Sequence, residues 1–256
     1  MSVLLKKEIL EMARSYKWIW MPMVFIALGI MQPLTSYYLP DIIEEFGGLP
    51  EGAVFEIPLP GSEQVFAETL GQFSQIGLFV VVLALMGSLA GERSSGTAVM
   101  ILAKPVSHAS YFLAKWVAGL LITTVSYLAG AAAALYYIYL LFDPLQIQQL
   151  LLSSLFYVMW LLFTVTLVLF FSTFLKRSAA VAGASIVFLI VIALASSIFV
   201  EPMMWTPGHL LELSNLAIQD QPLTGLWKSV ISTIVVCMLL VSGSIGYLKR
   251  REWVQG

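Results

Sequence analysis

The sequence predicts an all-α membrane protein with six transmembrane helices, an N-terminal interfacial helix and a short cytoplasmic coupling helix between spans two and three. Three observations carry this reading. The 256 residues are 59% hydrophobic and 11% charged, with a mean hydropathy of +0.91, well beyond an ordinary soluble domain. Most of the chain falls into apolar runs long enough to cross a hydrocarbon core of about 30 Å. Of the 13 lysines and arginines, twelve fall where six crossings put them on one face, and basic residues mark the cytoplasmic face.

Residues 1–17 come first. Leu5, Ile9, Met12 and Tyr16 recur at helical spacing, with Lys7, Glu11, Arg14 and Lys17 on another face, the pattern of a helix lying among lipid headgroups. The plainer alternative is a cytoplasmic extension of the first span. No cleavable signal is expected, because the following apolar run is too long and lacks a small-residue cleavage site. The spans are expected over residues 18–39, 70–90, 112–142, 148–175, 178–200 and 229–248. Their interiors are free of charged side chains away from the ends, as a mid-bilayer penalty of at least about 2.5 kcal/mol per charge demands. Lys6, Lys7, Arg14 and Lys17 precede the first span; Arg93, Lys104 and Lys115 separate the second from the third. Lys176 and Arg177 divide the fourth from the fifth, and Lys249, Arg250 and Arg251 follow the last, leaving Lys228 alone on the other side. Both termini are therefore expected in the cytoplasm, in a multi-pass protein of the cell membrane, the bacterial cytoplasmic membrane being the natural setting.

The informative connection is residues 91–111. Ser94, Ser95 and Thr97 can open a helix, residues 99–103 supply an apolar turn or two, and Pro105 stops it. Such a helix can enter a groove on a soluble partner with its apolar residues as anchors. The positions Glu92, Gly96, Thr97, Leu102, Pro105 and Lys115 resemble the loop after the second span in ABC-2 type permeases. The order of parts, from N-terminal helix to basic-acidic tail at Lys249–Glu252, is similar too. The resemblance implies one transmembrane domain over residues 1–256. It also implies a coupling helix that docks on an ABC ATP-binding subunit, present in two copies, with a second permease copy, identical or related, beside it.

In that scheme Glu92 and Arg93 set the hinge between span and helix, Gly96 and Thr97 start the helix, and Val99, Ile101 and Leu102 bury against the ATPase. An ordinary solvated ion pair is the bland alternative for Glu92 and Arg93. The sequence has no Gly-x-x-x-x-Gly-Lys-Ser/Thr phosphate loop. No enzymatic activity and no directly bound cofactor are therefore expected, ATP and magnesium being handled by the partner. The resemblance favours an exporter. Other readings are an ABC-2 fold acting as a mechanotransmitter for an extracytoplasmic partner, or a non-ABC secondary transporter or channel.

Residues 40–69 and 201–226 are expected as outer loops. The first carries seven acidic residues and no basic one, which suits either a cationic cargo or simple topology keeping. The second is proline-punctuated, and part of it is expected to re-enter or lie on the membrane. Gln72 and Gln75 of span two are candidate cargo-path residues, interhelical packing being the default reading for buried amides. Small-residue spacings at Ala179/Gly183 and Ser242/Gly246 suit close helix contact. His108, His209 and Cys237 lack a second ligand at metal-site spacing, so no metal is expected. No feature points to nucleic acid. An intramembrane hydrolase is disfavoured because no span interior holds a histidine and no Gly-x-Ser-x-Gly elbow occurs.

Overall fold

The computed structural model describes residues 1–46, 58–103 and 106–250, and these are helical with no strand among them. Among the described residues, six helical runs are long and apolar enough to cross a membrane: Lys17–Ile43, Ser62–Ser94, His108–Leu141, Ile147–Phe174, Ser178–Ile198 and Leu226–Arg250. In chain order the elements are α1 (Ser2–Arg14), α2 (Lys17–Phe46), α3 (Ser62–Gln72), a π-helical turn (Phe73–Gly77) and α4 (Leu78–Leu85). Two short helices follow, α5 (Ala90–Ser94) and α6 (Thr97–Leu102), then the long pair α7 (His108–Leu141) and α8 (Ile147–Phe174). The remainder is α9 (Ser178–Ile198), α10 (Val200–Met203), α11 (His209–Ile218) and α12 (Leu226–Arg250).

The structure differs from the expected boundaries at the first outer loop. Helix α2 continues to Phe46, carrying Asp41, and α3 begins at Ser62, so Glu63 and Glu68 stand on a helix rather than in a loop. The physical reason lies in side-chain pairing: Glu68 finds hydrogen-bond donors on α2 and α3, so its charge does not bar it from helical ground. The second outer segment also holds helix, and α11 lies along α8 with Leu210, Leu213 and Ile218 fully buried.

Helices α2 and α7 form the most extensive pair. Their crossing is set by two glycines. A Cβ on Gly29 would stand 2.2 Å from the Gly130 carbonyl oxygen, and one on Gly130 would stand 2.6 Å from that of Phe25. Only residues without a side chain allow backbones this close. The small residues expected to serve that purpose elsewhere do not do so within the chain, since a Cβ on Gly183 or Gly246 would meet nothing within 4 Å. Behind the crossing, Phe25, Phe73, Tyr127 and Tyr157 interlock, with the two tyrosine rings 4.8 Å apart and Phe25 5.2 Å from Phe73. This aromatic knot fixes α2, the π-turn, α7 and α8 to one another.

Helix α1 packs against α7 and α2. Its inward face differs from the expected stripe: Met12 and Glu8 are buried, whereas Tyr16 is exposed and turns the chain into α2 at a φ of 57°. Leu5, Glu8 and Met12 lie at spacings of three and four, so the glutamate occupies the apolar stripe itself.

Candidate functional site

The second membrane-crossing run does not end smoothly. After α4 the chain unwinds over residues 86–89 and resumes as α5. An unwound backbone within or near a membrane must find partners, and α8 provides them through Ser172. Its Oγ accepts from the amides of Leu89 (3.1 Å) and Ala90 (2.9 Å) and donates to the carbonyl of Met86 (3.3 Å). On the preceding turn, Lys17 Nζ donates to the Ala84 carbonyl at 2.6 Å. Arg93 Nη1 donates to the carbonyl of Thr173, in the last turn of α8, where the helix dipole favours a cation.

A second joint follows at once. Gly96 adopts a φ of 75° between α5 and α6, a conformation costly for any residue with a Cβ. Ser95 Oγ and Thr97 Oγ1 meet across it at 2.9 Å. In α6, Ala98 is buried and Ile101 is partly buried against the core of this same chain, while Met100 is 75% exposed. Of the other expected anchors, Val99 and Leu102 are described only as helical backbone, and Pro105 lies outside the described residues. After the connection, Ser107 caps α7, its Oγ accepting from the Ser110 amide at 3.1 Å.

Glu92, on α5, is the keystone of a buried ion cluster. Lys115 of α7, with only 1% of its side chain exposed, spends its three ammonium hydrogens on Glu8 and Glu92. Its Nζ lies 2.9 Å and 3.0 Å from the two Glu8 oxygens and 2.9 Å from Glu92 Oε1. Glu92 Oε1 also accepts from Lys7, and Glu92 Oε2 from the hydroxyl of Tyr111. Lys7 reaches Glu8 at 3.0 Å and Glu11 at 2.8 Å. The two buried carboxylates thus face two ammonium groups, so the cluster is neutral apart from the exposed Glu11. Burial by itself would lower the Lys7 pKa, but the hydrogen bonds it donates to Glu11 and Glu92 and the nearby Glu8 charge hold it above its ordinary value. Carboxylate oxygens of Glu8, Glu11 and Glu92 converge within 4.8 Å of one another, with Lys7 and Lys115 seated among them. Removing Lys115 or either buried carboxylate, Glu8 or Glu92, would leave an uncompensated buried charge.

This geometry ties three elements distant in sequence, α1, α5 and α7, into one rigid node, with α6 hanging beyond the Gly96 joint. Glu92 and Lys115 carry the sequence resemblance; Lys7 was read only as part of the polar face of α1, and Glu8, Tyr111, Ser172 and Met100 were not singled out. The legible signal for Glu8 was a charge on the apolar stripe of α1. Ser172 gave none.

Gln72 and Gln75 point to different places. The Gln72 amide donates to Gln32 Oε1 on α2, and its own carbonyl oxygen is buried with no hydrogen-bond partner among the described residues. Gln75, within the π-turn, is exposed and lines a cavity of about 430 Å³ with Tyr157, Leu189, Ala193, Ser214 and Asn215. The intervening π-turn, Phe73–Gly77, separates the two directions; such turns often mark functional segments.

Six helical runs of membrane-crossing length among the described residues make this a multi-pass integral membrane protein. The chain belongs to the ABC-2 family: the family profile described as "ABC-2 family transporter protein" matches residues 2–216. It is 33% identical over 253 residues to an uncharacterized transmembrane protein, YxlG, of Bacillus subtilis (strain 168), covering 98% of each chain. Membrane proteins of this family generally work with ATP-binding subunits and are themselves the non-enzymatic component.

Proposed function

We propose that the chain is the permease subunit of an ABC exporter, driven by a separate ATP-binding subunit that docks on α5 and α6. Two ATP-binding copies and two permease copies, identical or related, make up the working assembly. Both termini and the α5–α6 segment face the cytoplasm, in keeping with the distribution of lysine and arginine. ATP and magnesium bind to the partner, and this chain receives only movement.

The observation that carries the reading is the placement of α6 directly beyond the Gly96 joint, one turn from the ion node on α5. The exposed Met100, and Val99 and Leu102 beside it, are the anchors offered to the partner; Gly96 and Thr97 set the angle. Displacement of α6 is passed through Glu92 and Arg93 to α1, α7 and the end of α8 as one body, because the ion cluster and the Arg93 contact link them. Rigid-body rocking of the spans follows. The cavity beside Gln75 is the segment of the path that cargo touches, while Gln72 holds α3 to α2. Mild-detergent extraction of the tagged protein tests this directly. An ATP-binding subunit co-purifies with wild type and is lost from a Gly96→Pro, Leu102→Asp double variant; a permease that elutes alone under several extraction conditions contradicts the proposal.

A further inference from the structure

Glu68 stands one turn and a half into the second membrane-crossing run, on α3. Its Oε2 accepts from Gln32 Nε2 at 2.7 Å and from Ser36 Oγ at 3.4 Å, and its Oε1 from Gln64 Nε2 at 2.9 Å. Three neutral donors thus converge on a carboxylate that has no ion-pair partner among the described residues. The chain offers little to supply one: no lysine, arginine or histidine occurs from Trp18 through Glu92. Lys228, the lone basic residue expected on that side, lies over the Trp205 ring at 5.6 Å. A partly buried charge in a membrane-crossing helix is costly without a counter-charge and commonly marks a functional site.

A cavity of about 480 Å³ opens onto this carboxylate. Ser36, Gln64 and Glu68 form its polar end, and Leu39, Pro40 and Leu59 are among its apolar walls. The size lies within the range of small-molecule sites, roughly 300–1,000 Å³. We infer that this pocket between α2 and α3 binds a small organic cation, an amine with an apolar body, its ammonium paired with Glu68. A hard divalent ion is a poorer match, because a single carboxylate already accepting from two amides and a hydroxyl does not furnish the several anionic oxygens that calcium or magnesium takes. The inference goes beyond the transport reading and stands without it, since it concerns the permease alone.

The test is calorimetric titration of the purified protein in phosphatidylcholine nanodiscs with phenethylammonium, against empty nanodiscs, with 2-phenylethanol as the neutral probe and calcium chloride as the metal probe. Saturable binding of the amine, at least about tenfold tighter than the alcohol, is expected, with a similar loss in Glu68→Gln, which keeps the side-chain shape but removes the charge. Leu59→Trp, at an exposed wall position away from the amide network, should weaken amine binding without disturbing the fold. Equal binding of amine and alcohol, unchanged binding in both variants, or saturable calcium binding in place of the amine overturns the inference. None of these outcomes depends on an ATP-binding partner, so failure here is distinct from failure of the coupling proposal.

Discussion

Lys115 is the residue on which the cytoplasmic end of the fold depends most. Replacing it with methionine leaves Glu8 and Glu92 facing each other in a buried site, and the loss of a buried ion-pair member costs about 3–5 kcal/mol. Thermal unfolding in detergent should register that loss. A Lys115→Met, Glu8→Gln double variant should recover part of it, because members of one network are not additive. For Lys7, whose pKa is raised in the fold, the sign is simple. Its contribution is complete below the unfolded lysine value of about 10.4 and is lost as pH climbs from there through the higher folded value. Stability should accordingly show no Lys7-linked step across the physiological range, roughly pH 5 to 8. Ser172→Ala removes the acceptor of two backbone amides and should cost about 1–3 kcal/mol, seen as faster hydrogen exchange at Leu89 and Ala90. Glu92 was legible in the sequence because its neighbours resemble a known loop. Ser172 was not, and Glu8 was marked only as a charge on an apolar stripe, since each matters through a partner some eighty or more residues away and local periodicity does not name that partner.

Among the elements, the α2–α7 crossing and the α5–α6 pair behave oppositely. The crossing tolerates no side chain: Gly29→Val places atoms where the Gly130 carbonyl oxygen sits, so a cost at the upper end of overpacking, about 3 kcal/mol or more, is expected with poor yield on extraction. Gly183→Ala, with nothing within 4 Å of the new methyl, serves as the innocuous control. At Gly96 space is free and conformation is not, since a Cβ meets nothing while φ is 75°. Gly96→Ala should therefore cost only about 1–2 kcal/mol, from backbone strain alone. Its larger effect should fall on ATP hydrolysis coupled to the permease, measured on the assembled complex. The sequence made α6 legible, through its polar opening and apolar middle, and it made the spans legible through hydropathy. It missed the extension of α2 and α3, because acidic residues read as loop until their hydrogen-bond partners on a neighbouring helix are known. It also placed close packing at Ala179/Gly183 and Ser242/Gly246, where spacing alone cannot say whether another helix is present.

For the molecule as a whole, orientation and coupling are the two claims that matter. In a Cys237→Ser background, a cysteine at Gln221 should be labelled by an impermeant thiol reagent from outside intact cells, and one at Ser95 only after lysis; the reverse pattern would invert the topology. The number of crossings was readable because charge and hydropathy agree on it, whereas the rigid node joining α1, α5 and α7 exists only in three dimensions. The most direct measurement of the central claim is cross-linking in native membranes from Met100→Cys, in the same background, carrying a photoactivatable maleimide, with Gln221→Cys as control. A nucleotide-sensitive adduct is expected between Met100→Cys and a chain bearing a Gly-x-x-x-x-Gly-Lys-Ser/Thr phosphate loop, and none from Gln221→Cys. Adducts to lipid or to the permease alone, with the protein fully folded and labelled, would contradict it.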